Sequence, residues 1–274
     1  MIYYKHPLLF SFHLMLTPFK NHCYLLLLLT ILFFTGFLTI GQAQRTENFK
    51  SPQYEYKTAM DLYSNGKFGS AQQYFKYVYE NTTDMQQDLK TNSFFYMGVC
   101  AEKLDNQDAA YLLQAFIDRY PVHSYVTEAR FYLGRYYFSR KQWKKVIQNF
   151  DEIYENEIQP ENIAEYQFKK GYSYFMINDF DMAKSLFKKA REEAGPYKNR
   201  AIYYSAFMAY QDGQYEAALE DFLIIKDDPE YQKDIPAFLT QIYFKQGEYE
   251  KVLEVAPVIT NYNDAAQLQT LRCI

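Results

Sequence analysis

Small and aromatic residues return along this chain about every 35 residues, and this recurrence limits the fold more than any other feature. Gly98 in FFYMGVCAE, Gly134 in FYLGRYYF, Gly171 in FKKGYSYF and Ala206 in YYSAFMAY follow one another at spacings of 36, 37 and 35. Downstream of each comes an aromatic residue and, three positions later, a small or β-branched one: Phe68/Ala71, Trp143/Val146, Phe180/Ala183, Tyr215/Ala218 and Tyr249/Val252. Four residues further on stand Phe75, Phe150, Phe187 and Phe222, and several units end near a proline: Pro121, Pro160, Pro196 and Pro229. A period of this length marks a supersecondary unit stacked on copies of itself.

Within each unit the apolar residues recur at i, i+3, i+4 and i+7, which predicts two amphipathic helices. The 274 residues include only 10 Gly and 9 Pro, so the elements are long and breakers are few. Polar or breaker pairs mark the turns: Asn65-Gly66, Asn178-Asp179, Asp212-Gly213 and Gln246-Gly247. The small residue of the first helix lets the second approach closely. One such pair cannot bury its apolar faces, so the sequence predicts a stack of at least three.

These residues resemble the tetratricopeptide repeat, whose pattern has small residues at its eighth and twentieth positions, large apolar or aromatic ones at its eleventh and twenty-fourth, and a proline near its end. Gly134, Tyr137, Val146, Phe150 and Pro160 match it in one unit; Gly171, Tyr174, Ala183, Phe187 and Pro196 in the next; Ala206, Ala209, Ala218, Phe222 and Pro229 in a third. Ala59, Leu62, Ala71 and Phe75 fit an earlier unit, and Gly98, Ala101, Ala109, Leu113 and Pro121 fit another whose turn is one residue short. A last unit, with Thr240, Tyr243 and Val252, is weak at the eighth and twenty-fourth places. The resemblance implies an all-α, right-handed superhelical solenoid of about five to six helix-turn-helix repeats over residues 53–262.

It also implies a function. First helices of this family line a concave surface, with the second, fifth, ninth and twelfth positions pointing inward. Those positions give a partner-binding groove of Phe95, Phe131, Arg135, Phe138, Phe168, Tyr172, Phe175, Tyr203, Phe207 and Tyr210. Aromatic anchors with arginine are what binding hot spots use. The carboxylate clamp of some relatives is not reproduced, because Phe and Tyr occupy places where Lys and Asn would be needed. A continuous apolar or aromatic peptide segment is the expected ligand.

Residues 1–43 are different material, with two lysines, Lys5 and Lys20, and no Asp or Glu. An uncharged apolar run at 24–40 leads to Gly41 and Ala43, which fit a signal-peptidase site before Gln44. The segment reads as a secretory signal peptide whose translation starts nearer Met15, or alternatively as an uncleaved inner-membrane anchor. Cys23 precedes the run, so no lipoprotein cleavage site is present. A linker spans 44–52. Residues 263–274 begin a further helix without the polar cap that closes a solenoid, so the chain reads as a fragment of a longer array.

The net charge of −4, without a Lys/Arg block, argues against a nucleic-acid partner. After residue 43 only His123 remains for acid–base work, and no cysteine pair has metal or redox spacing. Walker, dinucleotide and calcium-loop signatures are missing from the sequence. Asn81-Thr82-Thr83 fits a glycosylation acceptor, but in a bacterial host it reads as helix punctuation. No catalysis and no cofactor are expected. The whole resembles exported, periplasmic repeat proteins of Gram-negative bacteria, which implies an envelope scaffold that binds another protein or a peptide segment and meets a membrane only through its N-terminal segment. The alternatives are an assembly factor of the outer-membrane-protein insertion type, and the repeat portion of a longer enzyme or sensor.

Overall fold

The computed structural model describes residues 51–255, and every regular element in that span is helical. Residues 1–43, most of the 44–52 linker and residues 263–274 lie outside it. The chain divides into two compact units, one running to Ser93 and the other beginning at Phe94.

The first unit contains the pair α1 (Pro52–Ser64) and α2 (Phe68–Asn81). The Ser51 side chain accepts a hydrogen bond from the Tyr54 amide, and Pro52 opens α1, where its missing N–H costs nothing. Ala59, Ala71, Phe75 and Val78 are fully buried between the two helices, and Tyr56 meets Phe75 edge-on at 5.7 Å. At the end of α2 the Asn81 side chain donates to the Tyr77 carbonyl at 2.8 Å, and Thr82 turns extended. This Asn-Thr-Thr sequence does punctuate a helix.

The boundary of the second unit falls inside α3 (Gln87–Lys103), which is followed by α4 (Ala109–Arg119). Then come α5 (Val126–Ser139) with α6 (Trp143–Asp151), α7 (Ile163–Met176) with α8 (Phe180–Glu192), α9 (Lys198–Gln211) with α10 (Tyr215–Ile224), and α11 (Ile235–Gln246) with α12 (Tyr249–Val255). Among the described residues no helix is long and apolar enough to cross a membrane.

All six pairs turn in the same way. One residue of each turn has a left-handed backbone: Gly66, Asp105, Lys141, Asn178, Gly213 and Gly247, with φ between 55° and 76°. The next amide then donates to the carbonyl five residues back, as from Asn106 to Ala101 at 2.9 Å and from Gln142 to Tyr137 at 3.0 Å. This is the Schellman closure, which satisfies carbonyls left over at a helix end. Gly and Asn adopt it readily. Asp105 and Lys141 do so at a cost of about 1 kcal/mol, and Asp105 is also held by an ion pair to Arg140 at 2.8 Å.

The small residues do what their spacing predicts. A Cβ on Gly134 would stand 2.1 Å from the Phe150 ring; on Gly98 it would stand 2.9 Å from Leu113, and on Gly171 3.0 Å from Leu186. Thus Gly134→Ala should destabilise the fold by about 1–3 kcal/mol through overpacking, although alanine is the better helix former by about 1 kcal/mol. Gly171→Ala should cost less, since its neighbours need to yield only slightly. Urea unfolding midpoints would check the order. A Gly134→Ala chain as stable as the wild type would contradict the close helix contact.

Candidate partner-binding face

The first helices of the second unit bring the ten predicted groove residues onto neighbouring positions, but those residues do not play one role. Phe95, Phe131 and Phe168 are only 2%, 2% and 4% exposed. Each lies on a phenyl ring of its own second helix: Phe95 on Phe116 at 5.5 Å, Phe131 on Phe150 at 6.0 Å and Phe168 on Phe187 at 5.7 Å. Tyr203 repeats the contact with Phe222 at 6.1 Å. A tyrosine near the entry to the following first helix covers the other side of three of these rings. Tyr125 stacks on Phe95 at 4.5 Å, Tyr231 stacks on Tyr203 at 4.5 Å, and Tyr197 lies 5.4 Å from Phe168. The fifth-position phenylalanines therefore form a structural spine and offer little surface to a ligand.

The other seven predicted residues are half-buried, and they fall into four groups. Phe138 and Tyr172 meet Trp143 in a three-ring cluster, with centroid distances of 5.4, 5.5 and 5.6 Å. The cluster forms one wall of a cleft of about 390 Å³, also lined by Lys141, Phe168, Arg200, Tyr204, Glu230 and Tyr231. This cleft runs across α5, α7 and α9 and so spans three consecutive repeats. Phe175 and Phe207, 6.0 Å apart, line a second hollow of about 490 Å³ with Met176, Phe180 and Met208. Tyr203 and Tyr210 turn with Phe207 toward Phe238 of α11, at 6.5, 5.3 and 6.0 Å. Arg135 belongs to the fourth group, a charged ladder.

The sequence reading missed Trp143, Tyr204 and Tyr231 as lining residues. Trp143 carried a signal that was available. In five of the six described repeats the aromatic that opens the second helix sits five residues after an aromatic near the end of the first, and the two rings meet across the turn. The pairs are Tyr63/Phe68, Phe138/Trp143, Phe175/Phe180, Tyr210/Tyr215 and Phe244/Tyr249, all at 5.4–5.9 Å. Tyr204 occupies the sixth position, outside the inward set, and Tyr231 lies in a loop, nine residues before Thr240, as Tyr125 and Tyr197 lie nine before Gly134 and Ala206.

The ladder crosses the first helices from Glu102 of α3 through Arg135 of α5 to Glu165 and Lys169 of α7. Arg135 Nε lies 3.2 Å from a carboxylate oxygen on either side, and Lys169 Nζ lies 2.6 Å from Glu165. The Arg135 Nε–H aims at neither oxygen well enough to form a hydrogen bond, and Glu102 Oε2 is buried without a donor. These contacts are Coulombic, and they hold charges that have lost much of their water. Burial pushes the Glu102 carboxyl above its usual range despite Arg135 and the nearby lysines. Burial also pulls Lys169 below the usual lysine range, against the opposing pull of Glu165. The Lys169 ammonium sits 5.1 Å above the Phe138 ring, a cation–π contact that joins the ladder to the cleft.

The nucleophile and base candidates are placed otherwise. Cys100 is fully buried, and burial pushes its thiol up to about 12, which keeps it protonated. His123 lies in the α4–α5 turn, where Nδ1 accepts from the Tyr125 amide at 3.2 Å and the ring packs on Phe116 and Tyr125. Among the described residues no three His, Cys, Asp or Glu side chains gather as they would around a metal ion.

The repeating helical pair is similar to the tetratricopeptide repeat. Residues 92–121 match the family model described as Tetratricopeptide repeat. Among solved structures, the fold is similar to the C-terminal part of a TPR repeat-containing protein from Cytophaga hutchinsonii, at 18% identity and a TM-score of 0.57 over 85% of this chain and 92% of that one. It is similar to pilF of Pseudomonas aeruginosa at 9% identity and a TM-score of 0.57, over 83% and 99%. It is also similar to MamA of AMB-1 at 19% identity and a TM-score of 0.53, over 65% and 92%. No curated protein matches the sequence. The likeness to the tetratricopeptide repeat read from the residues is thus shown.

The ladder makes a pH prediction. With its carboxyl raised, Glu102 binds its proton more tightly in the folded chain than in the unfolded one. Stability therefore falls as pH rises from the ordinary value of 4.5 through the raised one. The wild type should lose stability relative to Glu102→Gln across that window, as measured by urea midpoints at a series of pH values. A difference that stays constant with pH would refute the burial of this charge.

Proposed function

We propose that this protein is a non-catalytic scaffold of the bacterial envelope that holds a segment of a partner protein against the first-helix face of its repeats. The supporting observation is the cleft across α5, α7 and α9, where rings from three repeats stay half-exposed around one opening. A soluble protein seldom leaves such rings open unless a partner covers them. In this reading the stack winds as a right-handed superhelix, and Phe138, Tyr172, Trp143 and Tyr204 supply the contact surface. Arg135 organises the charged edge. Phe175, Phe207 and Tyr210 extend the apolar face beyond the cleft, while Phe95, Phe131 and Phe168 position it from below.

The envelope assignment rests on the apolar run at 24–40 and the Gly41/Ala43 pair before Gln44. Cell fractionation followed by intact-mass measurement should find a periplasmic chain that begins at Gln44. A full-length product in the cytoplasm would contradict the assignment.

The binding role is tested by capture from an envelope extract with wild-type chain and with the Phe138→Ala/Tyr172→Ala double variant, with partners identified by mass spectrometry. Both side chains are half-buried, so the variant should keep its helical circular dichroism. A partner held by the wild type should be lost from the variant by about tenfold or more, as expected for hot-spot truncations. Undiminished capture by a folded variant would refute the cleft as the binding site.

A further inference from the structure

Charge as well as shape distinguishes the cleft, and this bears on its occupant if the scaffold reading is right. Lys141 and Arg200 line it, and Glu230 is the one carboxylate among its lining residues. The adjoining ladder repeats this imbalance, with Lys103, Arg135 and Lys169 set against Glu102 and Glu165. Both regions thus hold one more cation than carboxylate, on a chain whose net charge is −4. Among the described residues, neither Lys141 nor Lys103 has a carboxylate within ion-pair distance; Lys103 only approaches the Tyr132 ring, at 5.5 Å. Arg200 and Glu230 are 3.3 Å apart, with side chains 44% and 50% exposed. Such a solvated pair is worth little, so an incoming carboxylate can replace Glu230 as the arginine's partner at small cost.

We infer that the cleft takes an acidic segment of a partner protein, in which a bulky apolar side chain enters among Tyr172, Tyr204 and Trp143 while flanking Asp or Glu residues pair with Lys141 and Arg200. The ring walls disfavour a purely polar ligand, because its polar groups would lose water against aromatic surface that offers them no hydrogen bonds in return. A basic segment would bring its charges against the unpaired cations, and like charges in a partly desolvated site are costly. A nucleic-acid strand could also stack on rings, but its backbone needs a line of cations, and two unpaired lysines on an acidic chain do not provide one.

The chain contains a single tryptophan, Trp143, and it lies in the cleft wall. Its emission is therefore a built-in reporter of occupancy. Full-length protein would be titrated with the peptide Glu-Asp-Phe-Asp-Leu-Phe-Glu. Three controls would accompany it: the same peptide with Lys at each acidic position, the acidic peptide with Ala at each apolar position, and single-stranded oligothymidylate. The acidic–aromatic peptide should change the emission saturably. Each control should bind about tenfold more weakly or not at all, and added salt should weaken the acidic–aromatic complex. Lys141→Gln and Arg200→Gln should each weaken that complex by about threefold. Equal or tighter binding by the basic peptide or the oligonucleotide would overturn the inference, as would no emission change with the acidic–aromatic peptide. If the captured partner is lost from the Phe138→Ala/Tyr172→Ala variant yet docks through a neutral or basic segment, the inference fails while the scaffold reading stands. If the acidic–aromatic peptide binds that variant as well as the wild type, the cleft itself is not the site, and both fail.

Discussion

In the second unit, rings of the described helical pairs are covered on one side by their own pair and on the other by the next, and the rest of the structure depends on that constraint. The fifth-position rings Phe95, Phe131, Phe168 and Tyr203 each rest on a phenylalanine of their own second helix, but that covers one side only. For Phe95, Phe168 and Tyr203 the other side is closed by Tyr125, Tyr197 and Tyr231, each near the entry to the following first helix. Phe187 is likewise covered from within its repeat by Phe168 at 5.7 Å and from the next by Tyr204, stacked at 5.5 Å. A repeat is thus completed by its successor, the physical basis of stability in stacked arrays. The glycines serve the same end. Gly134 brings α6 near enough for Phe150 to fill the space that a Cβ would occupy.

The same stacking produces the candidate binding face. With fifth-position rings committed to the spine, the ninth and twelfth positions of neighbouring first helices are brought side by side and left partly open. Tyr172 is the clearest example. It touches Phe168 of the spine at 6.1 Å, Phe138 of the preceding repeat at 5.6 Å and Tyr204 of the following one at 5.1 Å. Its position is fixed by three repeats, and such preorganisation favours binding because little side-chain freedom is left to lose. The Glu102–Arg135–Glu165–Lys169 ladder joins the first helices α3, α5 and α7 by charge, the last two of which also carry the cleft. That is expensive in isolation and leaves an edge of mixed charge beside an apolar cleft.

Much of this was legible in the sequence, because periodicity reports burial. The small residues, the second-helix phenylalanines and four of the six turns could be placed from spacing and breaker residues alone. The turns at Asp105 and Lys141 were missed, since no Gly or Asn stands at the left-handed position in either, although aspartate adopts that backbone more readily than most residues. The inward set was read from the family's geometry, which gives direction but not depth. It therefore grouped the spine residues Phe95, Phe131 and Phe168 with the accessible Phe138 and Tyr172. Only the tyrosines arriving from the next repeat decide which rings are covered; Tyr125, Tyr197 and Tyr231 each stand nine residues before the eighth position of their repeat, a spacing the sequence reading did not use. Trp143 was recognised as a spacing marker but not as a wall of the cleft, because its ring folds back across a turn onto the helix before it.

The central claim, that each repeat is completed by the next, is tested most directly by residue-resolved amide hydrogen exchange on the wild type and on Phe187→Ala. Removing this buried ring should cost about 3–5 kcal/mol. If the core is shared, the loss of protection should extend beyond α8 to α7 and on to α9, whose Tyr204 loses its stacking partner. A loss confined to α7 and α8, with α9 as protected as in the wild type, would mean that the repeats are stabilised one by one and would contradict the account.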